Sequence, residues 1–462
     1  MTIAIIIILL VIGSIIFHFV SPWWFTPLAS NWGSIDNTIN ITLWVTGIVF
    51  VLVNLFLAFA IIRYRHNKNR RAHYEPENTK LESILTIITT IGVAGMLIPG
   101  LFVWGEFITV PEQADEVEVV GQQWHWSYRF PGKDKKFGKV ATALISEKNP
   151  FGLDSNDPDS LDDVLISSNE LHLPVDRPIK VTLRSKDVLH NFAVPQFRVK
   201  MDLVPGIISY LWFTPTKIGR YEILCEELCG MAHFTMRGHV TVDSAIDHQK
   251  WLNNQKTFAQ LQAAPLGDIY QGKKLFAACA SCHGENGEGN KTFNAPQLAG
   301  LSQWYLTRQL QYYQNKTRGD DDRNPSGQQM QAMSALLPDE NTVKNVAAYL
   351  SSLPTISPSP SDEKSPVGNA IKGKDLYTNC AYCHGKQGQG NYTTNAPKLA
   401  GQHSWYLKQQ LLNYRQGIRG SNYHDLYGGQ MQLMSKTLYD EQSIDDVIAY
   451  ITNLTANVQS SQ

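Results

Sequence analysis

Residues 279–284 read Cys-Ala-Ser-Cys-His-Gly, and residues 380–385 read Cys-Ala-Tyr-Cys-His-Gly. The two stretches lie 101 positions apart, and their surroundings repeat at the same offset: Ala-Pro-Gln-Leu-Ala-Gly at 295 returns as Ala-Pro-Lys-Leu-Ala-Gly at 396. A repeat this long indicates a duplicated domain rather than a solenoid unit. Apolar residues at helical spacing predict that each copy is a small all-α domain, over residues 268–354 and 369–456.

Each copy carries the pattern Cys-x-x-Cys-His, which is the attachment sequence for haem c. The two thiols bond covalently to the haem, and the adjacent histidine becomes an axial ligand of the iron. A thioredoxin-type redox pair is the alternative use of Cys-x-x-Cys, but neither copy has the βαβ setting of that motif. We therefore predict two haem c groups, attached at Cys279, Cys282 and His283 and at Cys380, Cys383 and His384.

The second axial ligand suited to electron transfer is a methionine thioether, which raises the haem potential. Each copy offers two methionines at helical spacing: Met330 and Met333, then Met431 and Met434. Methionines at such spacing are more often core residues. The copies resemble the tandem two-haem cytochromes c, in which the ligand stands seven residues before a leucine that opens a helix. This resemblance implies Met330 and Met431 as ligands, with the carbonyls of Pro296 and Pro397 orienting the histidines.

Residues 225–236 read Cys-Glu-Glu-Leu-Cys-Gly-Met-Ala-His-Phe-Thr-Met, which gathers soft and borderline metal ligands in one loop. This set suits copper, and two bridging thiolates can hold two copper ions close enough to share one electron. Tetrahedral zinc is the alternative, but it would be expected to take another Cys or His rather than Met. A second imidazole is needed, and His190 is the candidate. Short β-rich stretches between about 110 and 251 predict an antiparallel sandwich or barrel around this loop.

At these residues the chain resembles subunit II of the haem–copper cytochrome c oxidases, whose cupredoxin-like domain holds the dinuclear copper centre CuA. The resemblance covers nearly all of residues 40–245. Some members of that family carry fused haem domains, which the C-terminal part of this chain resembles. It implies that two cysteines bridge the coppers and that the remaining ligands include the main-chain carbonyl of Glu227. The implied metal site comprises His190, Cys225, Glu227, Cys229, His233 and Met236. It also implies that the Glu227 carboxylate binds magnesium at the boundary with subunit I.

Two further positions match residues of the family, but some of their neighbours differ from the usual family sequence. Trp124, in Gly-Gln-Gln-Trp-His-Trp, matches the tryptophan through which electrons usually arrive, although His125 replaces the customary tyrosine. A plain core role is the alternative for Trp124. Glu82 matches a glutamate at the mouth of a proton channel into subunit I, but Leu85 and Thr89 replace the usual tryptophan and proline. An interfacial helix cap explains Glu82 equally well.

Three apolar runs occupy residues 3–20, 43–62 and 84–104, each near the roughly 20 residues that a helix needs to cross a bilayer. Basic residues cluster between 63 and 83, so the positive-inside rule places that loop in the cytosol and everything after 104 outside. The first run has an alternative role as a cleaved signal peptide, but it lacks a charged n-region, and we favour a retained helix. Trp23 and Trp24 suit a membrane interface.

Residues 1–108 are therefore predicted to be the membrane anchor and residues 109–252 the copper domain, in a bacterial inner membrane with the soluble domains on the periplasmic side. Residues 253–267 are expected to form a flexible connector, spanning on the order of 20 Å, and residues 354–369 a stiffer proline-rich one. The shorter first connector predicts that the first haem domain is the immediate electron donor to copper and that the second faces the external donor, whereas a folded-back arrangement would invert this order.

The expected fold class is multidomain: transmembrane helices, then an all-β cupredoxin-like sandwich, then two all-α cytochrome c domains. A net charge of −1 argues against nucleic acid as a partner. The leading function is electron input to a terminal oxidase, from an external donor protein through two haems and CuA to subunit I, which reduces oxygen to water. Subunit III is a further expected partner. The alternatives are a CuA-containing subunit of a nitric oxide reductase and a stand-alone membrane-tethered electron carrier.

Overall fold

The computed structural model describes residues 2–21, 25–68, 71, 76–146, 149–166, 168–264, 266–356 and 368–459. Trp23, Trp24 and most of the proline-rich second connector lie outside these residues. Within them, three helices are long and apolar enough to cross a membrane: α1 (Thr2–Val20), α2 (Gly33–Arg63) and α3 (Thr79–Ile108). They contain the three predicted apolar runs. Helix α2 packs against both α1 and α3, and most of the remaining apolar side chains are exposed, as contact with lipid requires.

The β domain rests directly on the ends of α2 and α3. Trp32, just before α2, is buried and donates its indole N–H to the carbonyl of Trp212 at 2.9 Å. The indole of Trp212 in turn donates to the carbonyl of Glu106 in α3 at 3.1 Å. Arg198 pairs with Asp36 of α2 at 2.7 Å. These contacts hold the β domain in a defined orientation on the membrane helices.

The β domain is a sandwich, and the described residues form two five-stranded sheets, ordered β3-β2-β1-β5-β8 and β4-β10-β9-β6-β7. The strands are β1 (Asp115–Gln122), β2 (His125–Phe130), β3 (Val164–Ile166), β4 (Glu170–Pro174), β5 (Ile179–Ser185), β6 (His190–Val194), β7 (Val199–Leu203), β8 (Ser209–Phe213), β9 (Gly219–Cys225) and β10 (Arg237–Asp243). A short helix, α4 (Pro158–Leu161), precedes β3. The inner faces bury residues such as Val119, Leu183 and Phe192, so the predicted sandwich is confirmed.

Its sheets, however, are not wholly antiparallel as predicted. Strand β1 pairs with β5, and β4 with β10, in parallel. Each parallel pair joins strands that are far apart in the chain, with other strands between them. Alternation along a single strand reports which face is buried but carries no information about the direction of its neighbour.

Residues 253–267 were expected to be a flexible connector, and this prediction is wrong. Helix α5 (Ala245–Asn253) leads into α6 (Phe258–Ala263), which begins with a capping box between Thr257 and Gln260. Phe258 is fully buried in a small cluster with Phe151 and Leu165. Burial of one phenylalanine stabilises this arrangement by roughly 1.5–3 kcal/mol, which is enough to fix the segment against the β domain.

The two copies of the duplicated domain have the same four helices each within the described residues. They are α7 (Ile269–His283), α8 (Gln303–Gln314), α9 (Pro325–Ser334) and α10 (Glu340–Ser352), then α11 (Ala370–His384), α12 (Ser404–Arg415), α13 (Leu426–Ser435) and α14 (Glu441–Gln459). The first and last helices of each copy cross closely at a glycine. A Cβ on Gly272 would lie 1.9 Å from the carbonyl oxygen of Asn345, and one on Gly373 equally close to that of Asp446. The repeat therefore preserves the tightest helix contact in both copies.

Candidate copper and haem sites

The candidate copper ligands converge from three separate elements of the sandwich. His190 begins β6, Cys225 ends β9, and a short turn between β9 and β10 supplies the rest. The two thiol sulfurs of Cys225 and Cys229 lie 3.7 Å apart. The Sγ of Cys229 lies 3.4 Å from Nδ1 of His233 and 3.7 Å from the sulfur of Met236. The predicted loop therefore folds into one cluster of soft donor atoms.

His190 and the carbonyl of Glu227 complete the cluster on the side of Cys225. Its sulfur lies 4.0 Å from Nδ1 of His190 and 3.3 Å from the main-chain oxygen of Glu227. The ligand atoms of His190, Cys225 and Cys229 all lie within 4.8 Å of one another. All six predicted donor groups are thus close together, although they come from a sequence span of 47 residues, from 190 to 236.

Hydrogen bonds and burial shift the pKa values of the groups in this cluster. Asp187 accepts a hydrogen bond from Nε2 of His190 at 2.8 Å, which leaves Nδ1 facing the thiols. Burial lowers the pKa of His190, but Asp187 and Cys225 outweigh burial and raise it overall. The hydrogen bond between the two thiols lowers the pKa of Cys225 and raises the pKa of Cys229. All six cysteines of the chain, each within the described ranges, are free thiols, so none is used in a disulfide.

The other predicted positions lie around this cluster or away from it. Trp124 is buried and donates its indole N–H to the carbonyl of Cys229 at 3.2 Å, and Trp126 packs edge-on to His190. Both tryptophans also belong to the hydrophobic core of the sandwich. Glu227 is half-buried, and Glu82 is exposed in the first turn of α3. Channel and magnesium roles for these two glutamates stay predictions.

In both copies of the helical domain, the Cys-x-x-Cys-His stretch is the last turn of the first helix. The Nδ1 atom of His283 lies 2.9 Å from the carbonyl oxygen of Pro296, and that of His384 lies 2.7 Å from that of Pro397. Burial lowers the pKa of both histidines, although the prolyl carbonyls act in the opposite direction. Each ring is therefore held as a neutral imidazole with Nδ1 bound and Nε2 free for a metal.

Both attachment stretches face a single continuous cavity. It is lined by the cysteine Cys279 of the first copy, the pair Cys380 and Cys383 of the second, and both histidines. All four candidate methionines line it as well: Met330, Met333, Met431 and Met434. Both methionines of each pair therefore lie at the haem cavity. Which of the two is the axial ligand stays a prediction.

Two buried arginines, Arg318 and Arg419, also line this cavity. They are equivalent in the repeat, and each donates hydrogen bonds across the boundary between the copies, Arg318 to Gln410 and Arg419 to Gln309. Among the described residues neither has a carboxylate within salt-bridge distance, whereas buried charges are normally paired.

Haem carries two carboxylate groups, which the two buried guanidinium groups would balance. The thiols would attach its periphery, and the neutral imidazoles and thioethers are suitable ligands for its iron. The residues present therefore fit a covalently attached haem in each copy.

Linker length predicted that the first haem domain is the immediate electron donor to copper, and this electron order stays a prediction. Among the described residues, it is the second copy that packs on the β domain at Trp124. The contact residues Tyr382, Tyr423 and Tyr427 were missed. Position-by-position comparison of the copies would have found them, since the first copy has serine or aspartate in their places.

Comparison with known proteins agrees with this architecture. Residues 116–244 match the family described as cytochrome C oxidase subunit II, periplasmic domain, and residues 269–354 and 370–455 each match the cytochrome c family. The alternative cytochrome c oxidase subunit 2 of Bradyrhizobium diazoefficiens is 54% identical over 261 residues, which are 56% of this chain and 94% of that protein. The cytochrome c oxidase subunit 2 of Cereibacter sphaeroides is 28% identical over 234 residues, 46% of this chain and 75% of that protein. The crystal structure of reduced recombinant cytochrome c4 from Pseudomonas stutzeri is 28% identical and covers 40% of this chain and 98% of that one, with a TM-score of 0.33.

The fold and the sites together define a membrane-anchored electron-transfer protein with a copper-binding β sandwich and two cytochrome c domains. The predicted fold class is therefore confirmed. This chain belongs to the cytochrome c oxidase subunit II family. It is a membrane protein with periplasmic domains and forms part of a haem–copper oxidase complex.

Proposed function

We propose that this chain receives electrons from an external donor protein and passes them through two c-type haems and a dinuclear CuA centre to subunit I, where oxygen is reduced to water. The observation that carries this proposal is the position of the two thiols, 3.7 Å apart and within reach of two imidazoles, a thioether and a carbonyl. Two thiolates at this separation can bridge two metal ions.

In this proposal, the two thiolates of Cys225 and Cys229 would hold the dinuclear copper centre together with His190, His233, Met236 and the Glu227 carbonyl. Bound copper supplies one-electron redox chemistry. Because these residues lie on strand ends and a short turn of the sandwich, they would hold a bound metal in a preorganised geometry, which would favour rapid electron transfer. Two Cys and two His would also satisfy a tetrahedral zinc ion, but the Met236 thioether and the Glu227 carbonyl beside them are further donors that such a zinc site does not need.

The copper loop also carries features that suit a second subunit. Leu228 is 78% exposed, and Met231 and Phe234 are about half exposed on the same loop. Exposed apolar groups that cluster in this way mark protein–protein contacts. The half-buried Glu227 lies on the same loop, and we propose that its carboxylate binds magnesium at a boundary with subunit I. Subunit III is a further proposed partner, and the proposed location is a bacterial inner membrane.

Oxygen is favoured over nitric oxide as the substrate of the complex, because the relatives found by sequence are cytochrome c oxidases. A stand-alone carrier is disfavoured by the exposed apolar copper loop, which would be left without a partner.

The test is purification of the complex in mild detergent, followed by copper and haem quantification, EPR and identification of the associated chains. We expect two coppers and two haem c groups per chain, an EPR signal of one electron shared by two coppers, and oxygen uptake. A mononuclear blue-copper spectrum, or nitric oxide reduction without oxygen uptake, would refute the proposal.

A further inference from the structure

The second cytochrome domain lies on the β domain around Trp124. The Tyr382 ring meets the Trp124 ring edge-on, with centroids 6.4 Å apart, and Tyr427 meets His125 in the same way at 5.9 Å. The Gln430 amide donates to the carbonyl of Trp124. These contacts leave Trp124 only 4% exposed.

The contact extends over a wider area than these two ring pairs. The Gln122 amide donates to the carbonyl of Thr393, and the Arg220 guanidinium lies 4.9 Å from the centre of the Tyr423 ring. Helix α13 packs against the turn that carries His233. The second domain therefore contacts the β domain at residues from several of its elements.

The three tyrosines of this contact occur only in the second copy. At the equivalent positions, 101 residues earlier, the first copy has Ser281, Asp322 and Ser326 in place of Tyr382, Tyr423 and Tyr427. Core and haem-attachment positions are shared between the copies, so these aromatic residues are not needed for the cytochrome fold itself. Aromatic residues are characteristic of interface centres. The presence of these tyrosines in the second copy alone therefore indicates that only this copy carries a docking surface for the β domain.

The haem cavity reaches the copper domain at this contact. Cys383 and Met434 pack against the sandwich core, and Trp124, Ala232 and Thr235 line the same cavity as the second attachment stretch. From Trp124, the indole hydrogen bond leads directly to the carbonyl of Cys229. A continuous packed path thus joins an attachment cysteine of the second copy to a candidate copper ligand.

We propose that the second cytochrome domain permanently occupies the electron-receiving face of the copper domain, so that an external donor docks on the first cytochrome domain and never on copper. This inference rests on the proposed function. One electron moves at each step: the second domain is oxidised as the copper site is reduced, and the first domain then reduces the second. A soluble cytochrome has no access to Trp124 while Tyr382, Tyr427 and Gln430 cover it.

The test locks the contact and asks whether electrons from outside still enter. Gln122→Cys combined with Thr393→Cys places two thiols at a point of direct contact, where a short bifunctional maleimide can join them. The native cysteines do not compete, because haem and copper occupy them in the purified complex. The matched control combines Gln122→Cys with Thr292→Cys, the equivalent position in the first copy. Cross-links are read by gel mobility and peptide mass, independently of activity.

We expect the 122/393 pair to cross-link in most molecules and the 122/292 pair not to do so. Oxygen uptake driven by a reduced soluble cytochrome c should stay within about twofold of the unlinked complex, because the locked arrangement is the productive one. Failure of the 122/393 pair to cross-link, equal cross-linking of the control, or a loss of uptake of about tenfold or more on locking would each overturn the inference. The copper EPR signal of the same samples tests the proposed function separately, since its absence refutes the copper centre whichever pair cross-links.

Discussion

Replacement of Arg419 by glutamine tests whether the buried arginine pair stabilises the haems electrostatically. Arg419 donates to Gln410 at 2.7 Å, to Gln309 at 2.9 Å and to the Tyr305 hydroxyl at 3.3 Å, so two of its three partners lie in the other copy. It is buried beside the shared cavity and lacks a carboxylate partner among the described residues. Arg419→Gln removes the charge and keeps a polar group of moderate length.

The expected magnitude follows from Coulomb's law. One charge removed at roughly 8 Å from a buried redox site, with an effective dielectric constant of about 20, is worth about 2 kcal/mol. Since 59 mV corresponds to about 1.4 kcal/mol for one electron, the potential of the second haem should fall by about 90 mV. A haem carboxylate that takes up a proton would offset part of this, so a fall of about 50–100 mV is expected.

Spectroelectrochemical titration of the α bands measures this shift directly. Arg419→Lys should restore most of the potential, because it keeps the charge, although it loses the planar hydrogen-bonding fork. Arg415→Gln is the matched control, since Arg415 lies nearby on α12, lies outside the residues that line the cavity and donates to the Tyr439 carbonyl instead. Potentials that change equally in the Arg415 and Arg419 variants, or not at all in the latter, would refute the electrostatic role.

Three further changes test the ligands. Cys225→Ser should abolish the shared-electron EPR signal of copper with both haem spectra unchanged, and persistence of the signal would exclude the cysteine as a bridge. Met330→Ala should remove the thioether-to-iron absorption band of one haem, whereas Met333→Ala should keep it; the reverse result would show that the other methionine is the ligand. Glu227→Gln keeps the carbonyl that faces copper, so copper content should stay the same while magnesium or substituted manganese is lost. An unchanged manganese EPR spectrum would show that this carboxylate is not a ligand.

The sequence by itself predicted the chemistry of each site. The cysteines and histidine of each haem domain lie in one short stretch, because covalent attachment requires the two thiols and the imidazole to be neighbours in the chain. The copper loop is equally local between Cys225 and Met236, and only His190 comes from a distant strand. Three membrane helices and a duplicated domain also followed, since hydropathy and repetition are properties of the chain itself.

Only the tertiary structure decided which cytochrome domain contacts the β domain, which strand pairs run in parallel, and that the first connector is folded. Each depends on contacts between residues far apart in the chain. Phe258, for example, is an isolated apolar residue in a polar stretch of sequence, and only the folded structure shows that it packs against Phe151 and Leu165. A connector's length limits where a domain can reach, but complementary surfaces such as Tyr382 against Trp124 determine where it binds, because only packed contacts offset the entropy of tethering.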